Sequence, residues 1–370
     1  MRRFVVLLLV AVLTLLCLPT AASADILGLW QRDFKQVGAD GQGDWRNIYA
    51  WSMASFKGDL YVGTARQAAI APVMEYLITA MPGLEFPPGV FPPGAVPFLS
   101  QFLTVEDGMV SVADPAAEAM FEAWNAGSQA EIWRLHEGVW TRVYQAPRVP
   151  SLVAGTNAPY YTPLAVGFRH MVPFKDRDGV EALYATAGTV SLAHPDYARM
   201  LFMSLDGETW SPVETPAAMG RETRTLGVHN GKLYVGAGTA TAGALGMGMP
   251  VPGSVWCSSK PSDSGSWKQV LYFPAVAPAN TGVVSLASAN GLLYIGTENV
   301  NGFEVWRSKV KNPRRNRDWK QLVTDGAGDR YNAWAGTMET FGKNVYVGSM
   351  SVPGFAGTTA MKAFDIIRVK

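Results

Sequence analysis

Arginine and histidine side chains recur at matching places in this sequence and could bind an anion or a sugar. Arg169 and Arg224 fall at the same position in two copies of an internal repeat, where a third copy has Trp51. Guanidinium groups pair in a bidentate manner with carboxylate and phosphate oxygens. The sequence therefore predicts a site for a small anionic or saccharide ligand, lined by Arg46, Arg169, His170, Arg221, Arg224 and Arg330. The alternative, that these cations pair with acidic residues of the chain itself, stays open.

Three asparagines, Asn47, Asn280 and Asn332, also occupy equivalent positions and belong to the same predicted ligand-binding face. Asparagine side chains commonly cap turns by bonding to nearby backbone groups. Turn capping is therefore the simpler interpretation. Convergence of the three amides on one ligand is the second interpretation.

Catalytic chemistry has fewer candidates. Asp44, Glu222 and Asp329 form the one carboxylate set that could act on a glycosidic bond at that face. The four histidines lack metal-ligand spacing, and the sequence contains no nucleophile elbow or phosphate-binding loop. The glycine-rich turns at Asp40 and Asp325 offer too few carboxylates for calcium. We expect no metal site and no cofactor.

A repeat along the chain has to position these residues. Its copies align on a tyrosine that is followed two residues later by glycine, or by threonine in the second copy. These tyrosines are Tyr61, Tyr184, Tyr234, Tyr294 and Tyr346. Each copy holds an alternating strand, a tight turn, the tyrosine strand, a third strand that carries a tryptophan in most copies and a short fourth strand. Such units, repeated about every 40 to 60 residues, predict an all-β fold with one β-propeller blade per copy. We expect the aromatic side chains to fill the space between blades and the glycine after the tyrosine to permit a turn.

The two ends of the chain predict how the propeller closes. Residues 33–47, "DFKQVGADGQGDWRN", match residues 318–332, "DWKQLVTDGAGDRYN". The second segment is a fourth strand with the loop that follows it, so the first should also be a fourth strand. Because the last copy has no fourth strand of its own, we expect the N-terminal strand to complete it and to abolish the free sheet edges. This gives five blades, and six are possible if the longest interval hides a degenerate blade.

An insertion at residues 65–129 interrupts blade one. It carries one base, Arg66, against seven acids. The stretch "AIAPVMEYLITAM" has apolar residues at helical spacing, and Asp114-Pro115 is typical of a helix start. The sequence predicts a small helical cap on the ligand-binding face, which we call the capped face.

The first 24 residues predict export. Arg2 and Arg3 precede an apolar run, and Ala22-Ser23-Ala24 is a small-residue cleavage site, so we expect a mature chain of residues 25–370 that is secreted or periplasmic. The apolar run is shorter than the ~20 residues that cross a bilayer, so no membrane span is expected after cleavage. Cys257 would then be the single cysteine of the mature chain, which excludes an internal disulfide.

The composition argues against nucleic acid as a partner. The 370 residues are 48% hydrophobic and 16% charged, with a formal net charge of +1. A balance so close to neutral predicts no affinity for nucleic acid. We expect a monomer whose capped face recognises a small ligand or a protein partner.

Residues 203–210, "MSLDGETW", resemble the Asp-box hairpin of sialidase-like propellers. The whole repeat is similar to that of secreted bacterial β-propeller proteins without an assigned activity. This resemblance implies that the Asp and Ser side chains satisfy backbone amides while the Trp packs beneath them. The expected function is that of an exported binding or scaffold protein. The alternative is a hydrolase or lyase that acts on an anionic saccharide.

Overall fold

The computed structural model shows an all-β protein, which confirms the predicted class. Its helical elements in the described part of the chain are single turns, with 3-10 turns at Ala217–Met219, Ser264–Ser266, Phe273–Ala275 and Asn316–Asp318. The structure describes residues 37–38, 40–44, 46–66, 103–106, 109–112, 127–154, 159–188, 200–220, 222–239, 251–351 and 363–369. No helix within these ranges has the length and apolar character to cross a membrane.

The strands form five consecutive antiparallel units, four of them with four described strands and the last with three. Unit one comprises Asn47–Phe56, Asp59–Arg66, Glu131–His136 and Val139–Gln145. Unit two comprises Gly167–Lys175, Glu181–Gly188, Leu201–Ser204 and Ser211–Pro212. Unit three comprises Thr223–His229, Lys232–Thr239, Val251–Ser258 and Lys268–Tyr272. Unit four comprises Asn280–Ala289, Leu292–Asn299, Val305–Ser308 and Trp319–Val323, and unit five comprises Trp334–Phe341, Asn344–Met350 and Ile366–Val369.

Tight turns set the strand register inside the units. Asn230-Gly231 and Asn290-Gly291 have positive φ at both residues, of 46° and 69° in the first turn and 52° and 74° in the second. Two consecutive positive φ angles define the turn whose twist matches the flanking strands, and Asn-Gly adopts it readily. The hairpins predicted from these pairs are confirmed.

Among the described residues, four clusters of buried hydrophobic side chains each lie at the seam between two successive units. Four of the five repeat tyrosines are buried there, namely Tyr61, Tyr184, Tyr234 and Tyr294. Trp256, Trp306 and Trp319 are buried in the same seams. Burial of aromatic side chains contributes a large share of core stability. The aromatic repeat therefore joins units, as its pattern predicts.

The glycine after the tyrosine makes room for the next unit, and this corrects the expectation that it permits a turn. A Cβ atom on Gly63 would lie 2.6 Å from the Cβ of Phe168, and one on Gly296 would lie 2.4 Å from the Cβ of Ala335. Phe168 and Ala335 belong to the first strand of the following unit. Both glycines lie within regular strands, so close approach of two units explains them.

Hydrogen bonds repeat across the seams in the same way. Ser52 donates to the carbonyl of Phe168 at 2.8 Å, and Ser285 donates to the carbonyl of Ala335 at 2.7 Å. The two serines occupy equivalent positions, opposite Gly63 and Gly296. Units one and four therefore meet their successors in the same geometry.

The hairpin "MSLDGETW" has the contacts that its resemblance implies. Asp206 accepts hydrogen bonds from the amides of Glu208 and Thr209 and from the Ser204 hydroxyl. These bonds hold the pKa of Asp206 far below its ordinary value. Trp210 is buried and donates to the carbonyl of Gly207.

The described strands of the insertion form a β-hairpin, which was not predicted from the sequence. Leu103–Glu106 pairs with Met109–Val112, which runs parallel to Arg148–Ala154. Pro159–Pro163 completes this separate four-stranded sheet. Asp107-Gly108 between two alternating runs was the available signal. The two helices predicted for the insertion fall in residues 67–102 and 113–126, outside the described residues.

Candidate functional site

A repeated β-bulge presents the side chains of the strongest candidate site. In units one, two and three the first strand slips by one residue, between Ala50 and Ser52, Phe168 and His170, and Thr223 and Thr225. The extra residue in each bulge is Trp51, Arg169 or Arg224. A bulge re-aims the side chain of its extra residue. The equivalence of these three positions, predicted from the repeat, is confirmed by the register.

The two arginines pair with carboxylates of the following unit. Nη1 of Arg169 lies 2.7 Å from Oε2 of Glu222, the residue that precedes unit three. Nη2 of Arg224 lies 3.3 Å from Oε2 of Glu298 in unit four, and its Nε donates to the carbonyl of Gly238. Pairing of Arg169 with Glu222 is one of the alternatives that the sequence left open.

Two tryptophans complete the arrangement. The guanidinium carbon of Arg169 lies 5.4 Å from the centre of the Trp51 ring, and that of Arg224 lies 4.7 Å from the Trp334 ring. Stacking of this kind adds to the attraction between a guanidinium and its surroundings. We call the six residues the arginine–glutamate cluster: Trp51, Arg169, Glu222, Arg224, Glu298 and Trp334. Every one of the five units supports the cluster.

A glycine of unit two leaves space for Arg169. A Cβ atom on Gly188 would lie 2.9 to 3.0 Å from the guanidinium atoms of Arg169. Gly238, which accepts from Arg224, follows its tyrosine by the same four residues as Gly188. Unit four has Glu298 at that position. Gly188 thus makes room for the guanidinium of Arg169, and unit four supplies a carboxylate at the same position.

The charges of the cluster are almost fully buried. The exposed fractions of the side chains are 15% for Arg169, 9% for Glu222, 7% for Arg224 and 0% for Glu298. Burial and the nearby charge of Arg169 lower the pKa of Arg224, while the charges of Glu298 and Glu222 oppose that shift. Both carboxylates therefore act on the same guanidinium. Two cations and two anions give the cluster no net charge.

His170 lies beside the cluster in the first strand of unit two. Its Nδ1 is 3.1 Å from the Thr225 hydroxyl, and burial lowers the pKa of its imidazole. A neutral imidazole at pH 7 adds no positive charge. His170 therefore links two units rather than widening a basic surface.

The predicted asparagines form buried bonds inside their own units. Asn280 donates to Glu304 at 2.7 Å and accepts from the Thr297 hydroxyl at 2.8 Å. The indole of Trp306 donates to the same Glu304 oxygen. Unit one repeats this pattern with Asn47, Glu131 and Trp133.

Two of the asparagines also bond to the turn that precedes their unit. The amide of Asn47 donates to the carbonyl of Gly41, and that of Asn332 donates to the carbonyl of Gly326. Asn332 also donates to Asp365, which directly precedes the third strand of unit five. Asn47, Asn280 and Asn332 are all buried. These contacts match the turn-capping interpretation at two of the three positions.

Asp44 and Asp329 shape the loops that lead into units one and five. Asp44 accepts from the amide of Arg46 at 3.0 Å, and Asp329 accepts from the amide of Tyr331 at 2.9 Å. Such bonds two residues along the chain are Asx turns. The guanidinium carbon of exposed Arg330 lies 5.2 Å from the Tyr331 ring. Glu222 is the one member of the predicted carboxylate set that belongs to the arginine–glutamate cluster, and Arg221 lies outside the described residues.

A second ionic group surrounds Arg66 in unit one. Its Nη1 lies 2.7 Å from buried Glu131, and its Nη2 pairs with Asp44. Arg66 also donates to the carbonyl of Gly127, so it ties together the two ends of the insertion. Asp44 pairs in addition with Arg46. Burial acts to raise the pKa of the Asp44 carboxyl, but the backbone amide of Arg46 and the guanidinium groups of Arg66 and Arg46 lower it overall.

Glu298 and Glu131 were missed at the sequence level. The available signal for Glu298 was its place in the repeat, because the equivalent residues of units one to three are Ala65, Gly188 and Gly238. A charge where three copies have a small residue marks a departure from the core pattern. Glu131 and Glu304 open equivalent tryptophan strands, and the acid two residues before the tryptophan was visible in both.

No cluster of three or more histidine, cysteine or carboxylate side chains that could hold a metal occurs among the described residues. Cys257 is buried in unit three, and burial raises the pKa of its thiol. A buried thiol with a raised pKa is a poor nucleophile.

No protein-family model and no curated protein matches this sequence. Among solved structures, the chain resembles a glycoside hydrolase family 43 arabinoxylan arabinofuranohydrolase from Bacillus subtilis at 11% identity, with a TM-score of 0.37, over 83% of this chain and 60% of that one. It also resembles a GH43_1 enzyme from Xanthomonas citri at 11% identity and a TM-score of 0.37, over 86% of both chains. A protein of unknown function from Dyadobacter fermentans gives 11% identity and a TM-score of 0.37, over 81% of this chain and 74% of that one. Likeness at this level establishes neither substrate nor mechanism.

Proposed function

We propose that this protein is an exported five-bladed β-propeller, closed by its N-terminal strand, that binds a hydroxyl-rich ligand of the saccharide class at the arginine–glutamate cluster. The observation that carries the proposal is the cluster itself. Side chains from five successive units converge there, and three of them stand in bulges that re-aim them. Bulges of this kind are common beside functional sites.

The charge balance of the cluster favours hydroxyl groups over a free anion. Each guanidinium already pairs with a carboxylate, so an anionic ligand would have to leave a buried glutamate without its partner. Removing one partner from a buried ion pair is costly. Hydroxyl groups can instead donate to the carboxylates and accept from the guanidinium edges. The half-buried rings of Trp51 and Trp334 offer apolar faces beside these polar groups.

Export and the monomeric state belong to the same proposal. The charged start, the apolar run and the small-residue site in residues 1–24 support cleavage before Asp25. The repeat and the seam contacts support a single chain that folds on itself. A protein partner on the capped face is the remaining partner class consistent with a binding role.

Titration calorimetry on the mature protein would test the binding. The panel would contain neutral oligosaccharides, uronic acids, sialic acid and phosphorylated sugars. We expect one saccharide to bind, with at least a tenfold loss of affinity in Arg169→Gln and Trp51→Ala. Arg315→Ala is the matched control, because Arg315 is exposed in the loop between the third and fourth strands of unit four. Equal affinity in the cluster variants and in the wild-type protein would refute the assignment.

Hydrolysis of an anionic saccharide is the second candidate function. It is favoured by the presence of two carboxylates in the cluster, Glu222 beside Arg169 and Glu298 beside Arg224. Glycosidases use carboxylate pairs about 5 to 10 Å apart. Sugar release by the wild-type protein that falls about a hundredfold in both Glu222→Gln and Glu298→Gln would establish this function. Binding without any release would leave the ligand-binding function alone.

A further inference from the structure

A basic loop in unit four departs from the repeat. Residues 309–318 join the third strand, Val305–Ser308, to the fourth strand, Trp319–Val323. Unit one closes the equivalent hairpin through Glu137-Gly138 alone, with both residues at positive φ. The fold therefore does not require the longer connection of unit four.

The loop concentrates positive charge in a protein whose total charge is close to neutral. Residues 309–320 contain six bases against one acid, Asp318. Asp318 lies 3.8 Å from Arg315 and accepts from the amide of Arg314. Apart from Arg315, the bases are exposed and form no ion pair with a described carboxylate. We call these five residues the basic surface: Lys309, Lys311, Arg314, Arg317 and Lys320.

Bonds to unit three give the loop a fixed shape. Nε2 of His229 lies 2.8 Å from the carbonyl oxygen of Lys311, which can only accept. The side chain of Asn316 accepts from the amide of Tyr272 at 2.9 Å, and Pro313 is buried. Cations that are already held close together lose little freedom when a ligand binds.

The neighbouring turns extend the basic surface into a row. A Cβ atom on Gly291 would lie 3.6 Å from Cε of Lys311, so the lysine side chain runs over the Asn290-Gly291 turn. Asn290 in turn donates to the carbonyl of exposed Lys343, in the equivalent turn of unit five, at 2.9 Å. Cations spread over two units suit an extended polyanion better than one small anion.

The basic surface lies at the opposite end of the strands from the arginine–glutamate cluster. Arg224 stands near the start of the strand Thr223–His229, whereas His229, which holds the loop, ends it. Five residues of extended strand span about 16 Å. One small ligand therefore does not contact both places.

We propose that the basic surface binds an anionic polysaccharide. Sulfate, carboxylate or phosphate groups repeated along such a polymer would pair with the row of lysine and arginine side chains. The aromatic ring of the loop region, Trp319, is buried, so no ring in residues 309–320 is placed to stack on a nucleic-acid base. Val310, at 44% exposure, is a small apolar area for insertion into a bilayer.

This inference goes beyond the saccharide site proposed above. The two sites use different residues and different attractions, so a cluster that binds nothing in the calorimetry would leave the basic surface unaffected.

Fluorescence anisotropy of labelled dextran sulfate would test the binding, with neutral dextran of the same length as the polymer control. We expect the mature protein to bind dextran sulfate and not dextran. The affinity should fall at least tenfold between about 50 and 200 mM salt, because each cation that pairs with the polymer releases a counterion. Equal binding of the two polymers, or an affinity that does not depend on salt, would refute recognition by the basic surface.

A triple variant would locate the contact. We expect Lys311→Gln with Arg314→Gln and Arg317→Gln to weaken the binding of dextran sulfate at least tenfold. Unchanged affinity in this variant would show that the polymer binds elsewhere.

The matched control removes the same charge from the first hairpin of unit two and the loop beside it. There the bases are accompanied by acids, and Lys260 pairs with Asp178 at 2.6 Å. The control, which should bind as the mature protein does, is Lys175→Gln with Arg177→Gln and Lys260→Gln. Equal losses in the two triple variants would show that total charge governs the binding, and would overturn the proposal.

The unmodified mature protein provides a check that needs no substitution. Dextran sulfate should raise its thermal midpoint in proportion to the binding, and dextran should not. Tighter binding of a single-stranded DNA oligomer than of dextran sulfate of equal charge would refute a polysaccharide ligand. Sedimentation with phosphatidylglycerol vesicles, without any binding of dextran sulfate, would assign the surface to a membrane instead.

Discussion

At the residue scale, the arginine–glutamate cluster combines the proposed binding role with a cost in stability. Glu298 is fully buried, and its described ionic partner is Arg224. Taking a carboxylate out of water is expensive unless a cation and hydrogen bonds compensate for it. Any ligand must therefore add to the existing pairs rather than break them.

Removal of one member of the buried pair should cost more than removal of both. We expect Arg224→Met to lower the free energy of unfolding by about 3–5 kcal/mol, because it leaves the Glu298 charge without its partner. The double variant Arg224→Met with Glu298→Gln should recover a large part of this loss. Urea denaturation of the mature proteins measures both values. A double variant less stable than either single variant would show that the pair does not govern stability here.

Two histidines, His170 and His229, should make stability depend on pH. Burial lowers the pKa of His170 and of His229, below an ordinary value of 6.5. Between the lowered pKa and 6.5 the unfolded chain binds more protons than the folded chain, so stability must fall as the pH falls. We expect the thermal midpoint to drop between about pH 7 and pH 5, and to drop less in the double variant His170→Gln with His229→Gln.

Two carboxylates with lowered pKa values, Asp44 and Asp206, titrate below this pH window. Asp44 and Asp206 have lowered pKa values, and their contribution to stability is lost only at more acidic pH. An unchanged pH dependence in the double histidine variant would assign the effect to other groups.

At the element scale, the seams between units determine which positions tolerate change. Gly296 meets the Cβ of Ala335 so closely that an added methyl group must separate the strands. We expect Gly296→Ala to lower the free energy of unfolding by about 1–3 kcal/mol through overpacking. Gly336→Ala is the matched control, because its Cβ would lie 3.5 Å from the nearest atom, an ordinary contact. Equal effects of the two substitutions in urea denaturation would disprove the role of the seam.

The elements that could be predicted from the sequence are those with local signals. Asn290-Gly291 specifies its turn through two positive φ angles, and the tyrosine strands specify their buried faces by alternation. The hairpin at Leu103–Glu106 and Met109–Val112 had the same kind of signal in Asp107-Gly108, but the helical periodicity upstream outweighed it. The partner of Arg224 had no local signal, because Glu298 lies in another unit and only the fold brings the two together.

At the scale of the whole molecule, the proposed closure by the N-terminal strand makes stability a property of the complete ring. Each unit shares its core with its neighbours, so a unit with an open edge lacks part of its support. Two residues near that edge, Phe364 and Ile366, are largely exposed. Loss of the closing strand should therefore affect unit five first and should leave unit three almost unchanged.

Deletion of residues 25–37 from the mature chain tests this difference. We expect the single calorimetric transition of the mature protein to broaden or split, because unit five would unfold at a lower temperature than the remaining units. The open edge should also promote pairing between chains, which size-exclusion chromatography would detect as a dimer at high concentration. Deletion of residues 25–32 alone is the control, since it leaves Val37 and the rest of the proposed N-terminal strand in place. If both truncated proteins melt in one transition at the temperature of the mature protein, the N-terminal segment does not close the ring.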